Sequence, residues 1–241
     1  MNVIWLDSID STNSEALRRL ADVPSGTVIA AREQTAGRGQ RGNTWFTQPG
    51  QNLTFSIVLK FEGVFPVSRA VWLNYLSSLA VAEFLRSFGV ACEIKWPNDV
   101  YVGKRKICGI LIENQLGNGG LASSVVGIGI NINQTEFMQL ANATSLSLCT
   151  SRAYSVEECL QRFLVFFEKL LPQVFEDGAG LFEAYSSQLF RKGVPARYYD
   201  VLQEEEFDGV IRGVEPDGRL CIIDAAGKCR YYHFKEVSYI L

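Results

Sequence analysis

The order of local signals in this 241-residue chain predicts an α+β fold: a mixed, mostly antiparallel sheet with helices packed on it. Three observations carry that reading. Strand candidates between residues 52 and 132 mostly follow one another through hairpin turns. The helix candidates are few and long rather than alternating with strands, which argues against a doubly wound sheet. After Lys192-Gly193 the texture changes to short strand candidates at intervals of about ten residues, the pattern of a small β-barrel. The chain therefore divides into residues 1–192 and residues 193–241.

Residues 7–21 begin as a polar cluster and become helical. Thr12 and Glu15 stand at capping-box spacing, and Leu17 and Leu20 supply an apolar face. Pro24-Ser25-Gly26 is a turn, and 27–31 reads as a short strand. In 52–60, Leu53, Phe55, Ile57 and Leu59 alternate with smaller or polar residues, which is strand periodicity. Residues 66–88 form the clearest helix, with Val71, Tyr75, Leu79 and Ala82 at helical spacing and Gly89 placed to end it. Residues 91–96 enter a Pro97-Asn98 turn. Residues 99–102 and 107–114 flank Gly103-Lys104 as a hairpin, and a glycine-rich turn at 116–120 precedes a strand at 123–132. Helices follow at 155–174, with a second capping box at Ser155 and Glu158, and at 181–190. The final strands fall at 194–199, 207–214, 219–224 and 229–234, separated by Asp217-Gly218 and Ala226-Gly227.

Composition excludes several classes. A net charge of −3 and a pI near 5.4 argue against a general nucleic-acid binder. Six scattered cysteines contain no C-x-x-C pair, and with a single histidine no zinc cluster is evident. That usage, without a signal peptide, fits reduced thiols in a cytoplasm. No uninterrupted apolar stretch is long enough for a membrane span. The lone His233 lies far along the chain from the other candidate residues, so chemistry falls to Lys, Arg, Asp and a metal.

The most informative stretch is Gln34-Thr35-Ala36-Gly37-Arg38-Gly39-Gln40-Arg41-Gly42-Asn43-Thr44-Trp45. Glycines let backbone N–H groups approach a ligand, and arginines bring permanent cations that fork onto carboxylate or phosphate. The loop looks built to wrap an anionic small molecule; a surface loop with solvated charges is the other reading of such a hexamer. Two later segments decide between them. One is Lys95-Trp96-Pro97-Asn98-Asp99 followed by Lys106 and Gly109-Ile110-Leu111-Ile112-Glu113. The other is Gly127-Ile128-Gly129-Ile130-Asn131-Ile132-Asn133. With Ser11-Thr12-Asn13, the set resembles the biotin protein ligase family, which shows these motifs in this order. The match covers roughly residues 5–135.

The resemblance implies a class II synthetase-like catalytic domain followed by an SH3-like barrel. It implies that ATP activates biotin to biotinyl-5′-AMP, with Mg²⁺ on the phosphates, before transfer to a lysine of a biotin carboxyl carrier protein or carboxylase acceptor domain. Bringing anions together requires cations. Lys106 matches the family lysine that contacts the carboxylate and α-phosphate, although a lysine in the run Lys104-Arg105-Lys106 can also be merely solvated. Ser11, Thr12 and Gln34 match positions that hydrogen-bond the ureido ring, whose two N–H groups and one C=O suit hydroxyls and an amide. Helix capping is the other role open to Ser11 and Thr12. Gly37, Arg38, Gly39 and Gln40 of the loop, with Gly109 and Ile110, belong against biotin. Arg38, Arg41, Lys95, Asn98, Lys106 and Asn131 belong at ATP, and Trp45 is a wall for adenine or biotin. Asp99 can ligate Mg²⁺, accept the proton of the incoming amine or simply close a turn. Arg38 and Asp99 join Lys106 as the catalytic candidates.

The chain departs from the family pattern at Gln40 and Asn43, where many bacterial relatives carry arginine. Arginine at the first position is linked there to retention of the adenylate, a role left here to Arg38 or Arg41. The chain opens directly on the catalytic segment, so no DNA-binding helix-turn-helix is expected ahead of it. A sheet-edge homodimer is common among relatives. Two other functions remain open: a lipoate or octanoate protein ligase, and a non-catalytic biotin or nucleotide sensor. The intact Lys106 and Asp99 weigh against the sensor, and the polar cluster at Ser11, Thr12 and Gln34 against a long lipoyl tunnel.

Overall fold

The computed structural model describes residues 1–117, 119–137 and 142–240, with the side chain of Arg41 outside the description. The first sheet is built from β1 (Asn2–Ile9), β2 (Thr27–Gln34), β3 (Leu53–Phe65), β4 (Glu93–Lys95), β5 (Asp99–Val102), β6 (Arg105–Gly117) and β7 (Gly120–Ile130). Its order is β1-β2-β3-β7-β6-β5-β4. The β1–β2 pair is parallel and every other ladder antiparallel, so the sheet is mixed and mostly antiparallel, as the hairpin spacing predicts.

The sheet is covered on both faces. On one, α2 (Ala70–Arg86) and α4 (Val156–Leu170) pack on β3, β6 and β7; on the other lies α1 (Thr12–Arg18). This explains why β3 is buried on both sides. Leu53, Phe55, Ile57 and Leu59 join the main core, while Val58 packs with Ala16, Ile29 and Val125 under α1. Phe55, fully buried, meets Phe163 of α4 edge-on at 5.0 Å between ring centroids. Burial of one such ring is worth about 1.5–3 kcal/mol. Gly89, at φ +79°, ends the α2 segment as its sequence position suggests. Ser155 caps α4 by accepting from the Glu158 N–H.

Two short helices, α3 (Leu146–Thr150) and α5 (Ala179–Ser187), complete the helical layer. The second sheet contains β8 (Pro195–Asp200), β9 (Glu205–Val214), β10 (Leu220–Asp224), β11 (Cys229–Tyr232) and β12 (Val237–Tyr239), ordered β11-β10-β9-β8-β12 and antiparallel throughout. No ladder joins β11 to β12 among the described residues, so the five strands form a second antiparallel sheet whose edges, β11 and β12, are not paired with each other. Its inner face, with Tyr198, Phe207, Ile222 and Tyr232, belongs to the same buried cluster as the first sheet. The Trp96 indole N–H donates to the Gly218 carbonyl at 3.0 Å, and the Tyr185 hydroxyl donates to the Pro97 carbonyl at 2.6 Å.

Three elements lack a sequence forecast. Strand β1 is a partly exposed edge with weak alternation, α3 spans five residues, and β12 spans three. The Thr12–Glu15 capping box does not form. Ser11 is the N-cap residue, no side chain caps α1, and Glu15 instead pairs with Arg18 and Arg19.

Candidate functional site

A cleft of about 610 Å³ opens over β6 and β7, between the loop following β2 and the segment at the end of the second sheet. Its floor is nearly free of side chains. A Cβ at Gly129 would come within 2.7 Å of Trp45 Cζ2, and one at Gly109 within 3.0 Å of Trp45 Cζ3. The indole lies flat on these glycines because nothing projects from them.

One end of the cleft is polar and rigid. Thr12 donates to Gln34 Oε1 from its backbone N–H at 2.8 Å and from its hydroxyl at 3.2 Å. The Ser56 hydroxyl lies 2.8 Å from Thr12 Oγ1 and 2.6 Å from Asn13 Oδ1, and Asn13 Nδ2 donates to Glu113 Oε2 at 2.9 Å and to the Leu111 carbonyl at 3.2 Å. Ser11 and Thr12 are buried and line the cleft. A network this fully bonded holds its members in fixed orientations.

The centre carries paired charges. Lys106 Nζ lies 2.7 Å from Asp99 Oδ1 and 5.6 Å from the Trp45 ring centroid. The two side chains meet because Asp99 pairs with Gly109 across β5 and β6, with a register shift between Val100 and Tyr101. Arg38 reaches Glu113 in a fork, Nη2 to Oε1 at 2.8 Å and Nη1 to Oε2 at 3.1 Å. Gln40 Nε2 extends to the Ile110 carbonyl at 3.5 Å, while its buried Oε1 has no partner among the described residues. Asn98 donates its amide to the Ile110 carbonyl, which closes the Trp96-Pro97-Asn98 turn onto β6.

At the other wall, the Lys95 ammonium donates to the Tyr101 hydroxyl at 3.2 Å and sits 4.9 Å and 5.0 Å from the ring centroids of Tyr101 and Tyr239. Burial pushes this lysine below its ordinary value, with Lys106 and Arg191 adding repulsion and Asp99 opposing it. A lysine depressed on folding costs stability while it is charged, and the loss is recovered as pH rises through the lowered value. Lys95→Met is therefore expected to raise the Tm of the unliganded protein. The gain should shrink between neutral and alkaline pH. Thermal scans at both pH values check it, and a lower Tm for the variant at neutral pH would refute it.

The structure gathers most of the sequence-derived candidates in this cleft: Ser11, Thr12, Gln34, Arg38, Gly39, Gln40, Trp45, Lys95, Asn98, Asp99, Lys106, Gly109 and Ile110 all line it. Asn131 does not. It is buried, and its side chain donates to the Thr144 carbonyl at 3.0 Å, tying β7 to the segment before α3. Gly37 is also absent from the wall. It is packed against the returning loop instead, where a Cβ would strike the Trp45 carbonyl oxygen. Gly39 has φ −110°, so the positive φ that demands glycine falls on Gly42, at +82°. The Arg41 side chain lies outside the described residues.

Sequence reasoning passed over Glu113 and Asn13 as site residues although both stand within its motifs. It also passed over the wall residues Phe234, Lys235, Ser238 and Tyr239. Among the described residues no three acidic, histidine or cysteine side chains converge as a metal cage. Asp99 remains a single carboxylate beside the cations, the usual protein share of a magnesium site completed by phosphates.

The sequence profile of the biotin/lipoate A/B protein ligase family matches residues 5–131, which span the polar end, the loop and the glycines Gly109, Gly127 and Gly129 that line the floor. The chain belongs to this family. It is 31% identical over 244 residues to the bifunctional ligase/repressor BirA of Salmonella typhimurium, covering 98% of this chain and 74% of that protein. The biotin–[acetyl-CoA-carboxylase] ligase of Paracoccus denitrificans is 30% identical, with 91% and 93% covered. The chain spans about half the length of the Bacillus relatives it matches, covering 53% of each. Among solved structures, the biotin protein ligase of Aquifex aeolicus in complex with biotin and ATP superposes with a TM-score of 0.80 at 28% identity, covering 98% of this chain and 97% of that one.

Proposed function

We propose that this chain activates biotin with ATP to biotinyl-5′-AMP and transfers the biotinyl group to a lysine of a biotin carboxyl carrier protein or carboxylase acceptor domain. The observation that carries the reading is one cleft joining a urea-complementary polar end to a centre of paired cations. The cyclic urea of biotin offers two donors and one acceptor, which Ser11, Thr12 and Gln34 can match. The named activities of the ligases from Paracoccus and Aquifex support the same assignment.

In the first step a carboxylate oxygen of biotin attacks the α-phosphorus, the bond to the bridging oxygen breaks, and pyrophosphate leaves with the electron pair. Lys106 is the cation at the reacting phosphate, and Asp99 orients it. Arg38 contributes by exchanging Glu113 for ligand oxygens. A magnesium ion arriving with ATP would take Asp99 as its protein ligand and spread the phosphate charge. In the second step the acceptor amine attacks the acyl carbon, AMP departs, and Asp99 is the candidate base for the released proton. Trp45, on the glycine floor, forms the wall for the planar groups. The loop from Gln34 to Trp45 shields the mixed anhydride from water.

Residues 1–192 are read as the class II synthetase-like catalytic unit. Residues 193–241 are read as an SH3-like unit, on the five short antiparallel strands packed around Tyr198, Phe207 and Tyr232. No helix among the described residues is long and apolar enough to cross a membrane. The six unpaired cysteines support action in the cytoplasm. The net charge of −3 supports a protein that does not bind nucleic acid on its own.

The deciding experiment is ATP–pyrophosphate exchange with a panel of carboxylic acids. Biotin should support exchange and yield biotinyl-5′-AMP by mass spectrometry. Exchange with lipoate or octanoate and none with biotin would overturn the assignment.

A further inference from the structure

We propose that Cys221 and Cys229, on the second sheet, form an oxidant-sensitive dithiol: peroxide oxidises Cys229, and Cys221 then closes a disulfide across the β10–β11 hairpin. Neither residue lines the cleft, so the proposal stands apart from the ligase reading.

The ladder brings the two thiols together. In β10, Leu220 and Ile222 belong to the main core, and Cys221 alternates with them, so its side chain leaves the opposite face. The register sets Cys221 against Tyr231 and Ile223 against Cys229, which makes the two cysteines diagonal neighbours on that face. The Asp224 N–H donates to the Lys228 carbonyl at 2.9 Å, so the pair beside the turn is a hydrogen-bonded one. Alternation from there puts Cys221 and Cys229 both at non-hydrogen-bonded positions, where side chains across a ladder come closest. A register shift against β9, between Cys221 and Ile222, adds local twist. The two thiols are accordingly in hydrogen-bonding contact, and both are free.

The pair is asymmetric, as a reactive thiol and its resolving partner must be. Cys229 is half-buried, whereas Cys221 is only 1% exposed. Arg212, an exposed residue of β9, and Tyr231 both make side-chain contact with Cys229. An arginine donor beside a reachable sulfur is the setting in which a thiol attacks oxidants. Glu215 is the opposing charge and acts on Cys221, Arg212 and Tyr231. Burial, with the Cys229 thiol adding to it, pushes the Cys221 thiol up to about 11, so Cys221 waits as a protonated partner. The remaining cysteines lack this arrangement. Cys92, Cys108 and Cys159 are buried in the main core, and Cys149 meets Thr144 Oγ1 at 3.7 Å.

The chemistry balances with one peroxide. The Cys229 sulfur attacks a peroxide oxygen, the O–O bond breaks, and the thiol proton goes to the departing oxygen, giving a sulfenic acid and water. The Cys221 sulfur then attacks the Cys229 sulfur, the S–O bond breaks, and hydroxide leaves with the Cys221 proton as a second water. Two thiols have given two electrons to the peroxide, and a dithiol reductant reverses the bond.

The test treats the full chain, freed of reductant, with hydrogen peroxide, unfolds it in iodoacetamide and maps the peptides by mass spectrometry. The parent should lose two hydrogens and yield one peptide pair cross-linked through Cys221 and Cys229, which dithiothreitol separates. Cys221→Ser, without the resolving thiol, should instead give a dimedone adduct at Cys229. Cys229→Ser should leave Cys221 reduced. Arg212→Gln should melt with the parent and form the cross-link severalfold more slowly. Where Cys221→Ser does not fold, Cys221→Ala takes its place, and the peptide map of the parent still decides the pairing. The proposal is overturned if Cys229 reacts with peroxide no faster than Cys149, or if both thiols oxidise without joining. A cross-link from Cys229 to a second chain, in place of Cys221, overturns it as well.

Discussion

Lys106→Ala should slow single-turnover formation of biotinyl-5′-AMP by roughly 10²–10³-fold, equivalent to about 3–4 kcal/mol of transition-state stabilisation. ATP binding should change far less. The asymmetry follows from where the charge acts: a cation at the transferring centre contributes mostly when charge builds on the α-phosphate. The structure adds a complication that the sequence does not show. Lys106 is salt-bridged to Asp99 at 2.7 Å, and both side chains are partly shielded, with 32% and 26% exposed. Removing the lysine leaves a carboxylate facing incoming phosphates, so part of any loss in ATP affinity will be repulsion from Asp99. Lys106→Ala combined with Asp99→Asn separates the two. The double variant should regain ATP affinity relative to Lys106→Ala and remain slow in adenylation. Rapid-quench measurement at saturating ATP and biotin reads the chemical step, and an unchanged rate in Lys106→Ala would remove it from the reaction.

Lys106 and Asp99 were legible as candidates because each stands in a short motif on one of two adjacent strands, β5 and β6, and Ser11, Thr12 and Gln34 because each matches a motif position, although the contacts that join them were not. The alternation of Leu53, Phe55, Ile57 and Leu59 likewise fixes which face of β3 meets the helices. What stayed hidden depends on distant chain segments. Arg38 and Glu113 are 75 residues apart and meet only because the loop after β2 folds back over β6. Asn131 looks like a site residue beside the G-x-G pattern, yet a buried amide must satisfy its own donors, and Thr144 supplies the acceptor. The Lys235 wall depends on how the second sheet docks, which rests on contacts such as Trp96 to Gly218 that no periodicity encodes. Open and closed five-stranded arrangements share one strand spacing, so the expected barrel could not be tested before the ladders were known.

The floor glycines offer the other large effect, and the structure separates two that the sequence treats alike. At Gly127 a Cβ would run into Asn13 Oδ1 and come within 2.8 Å of its Cγ. Asn13 cannot give way cheaply, because Ser56, Leu111 and Glu113 hold its amide from three directions. Glu113 is also the resting partner of Arg38. Gly127→Ala should therefore destabilise the fold by about 1–3 kcal/mol, roughly 2–12 °C in Tm, and loosen both the polar end and the loop. At Gly129 the obstacle is the Trp45 ring, a partly exposed side chain on a loop, which can swing aside. Gly129→Ala should keep a Tm close to the parent's and lose ligand affinity, because the displaced indole and the new methyl group both intrude on the cleft. Differential scanning calorimetry paired with biotin and ATP titrations distinguishes the two substitutions. If Gly127→Ala melts with the parent, Asn13 is not the fixed post its hydrogen bonds imply. If Gly129→Ala binds both ligands normally, the glycine floor is not where they lie.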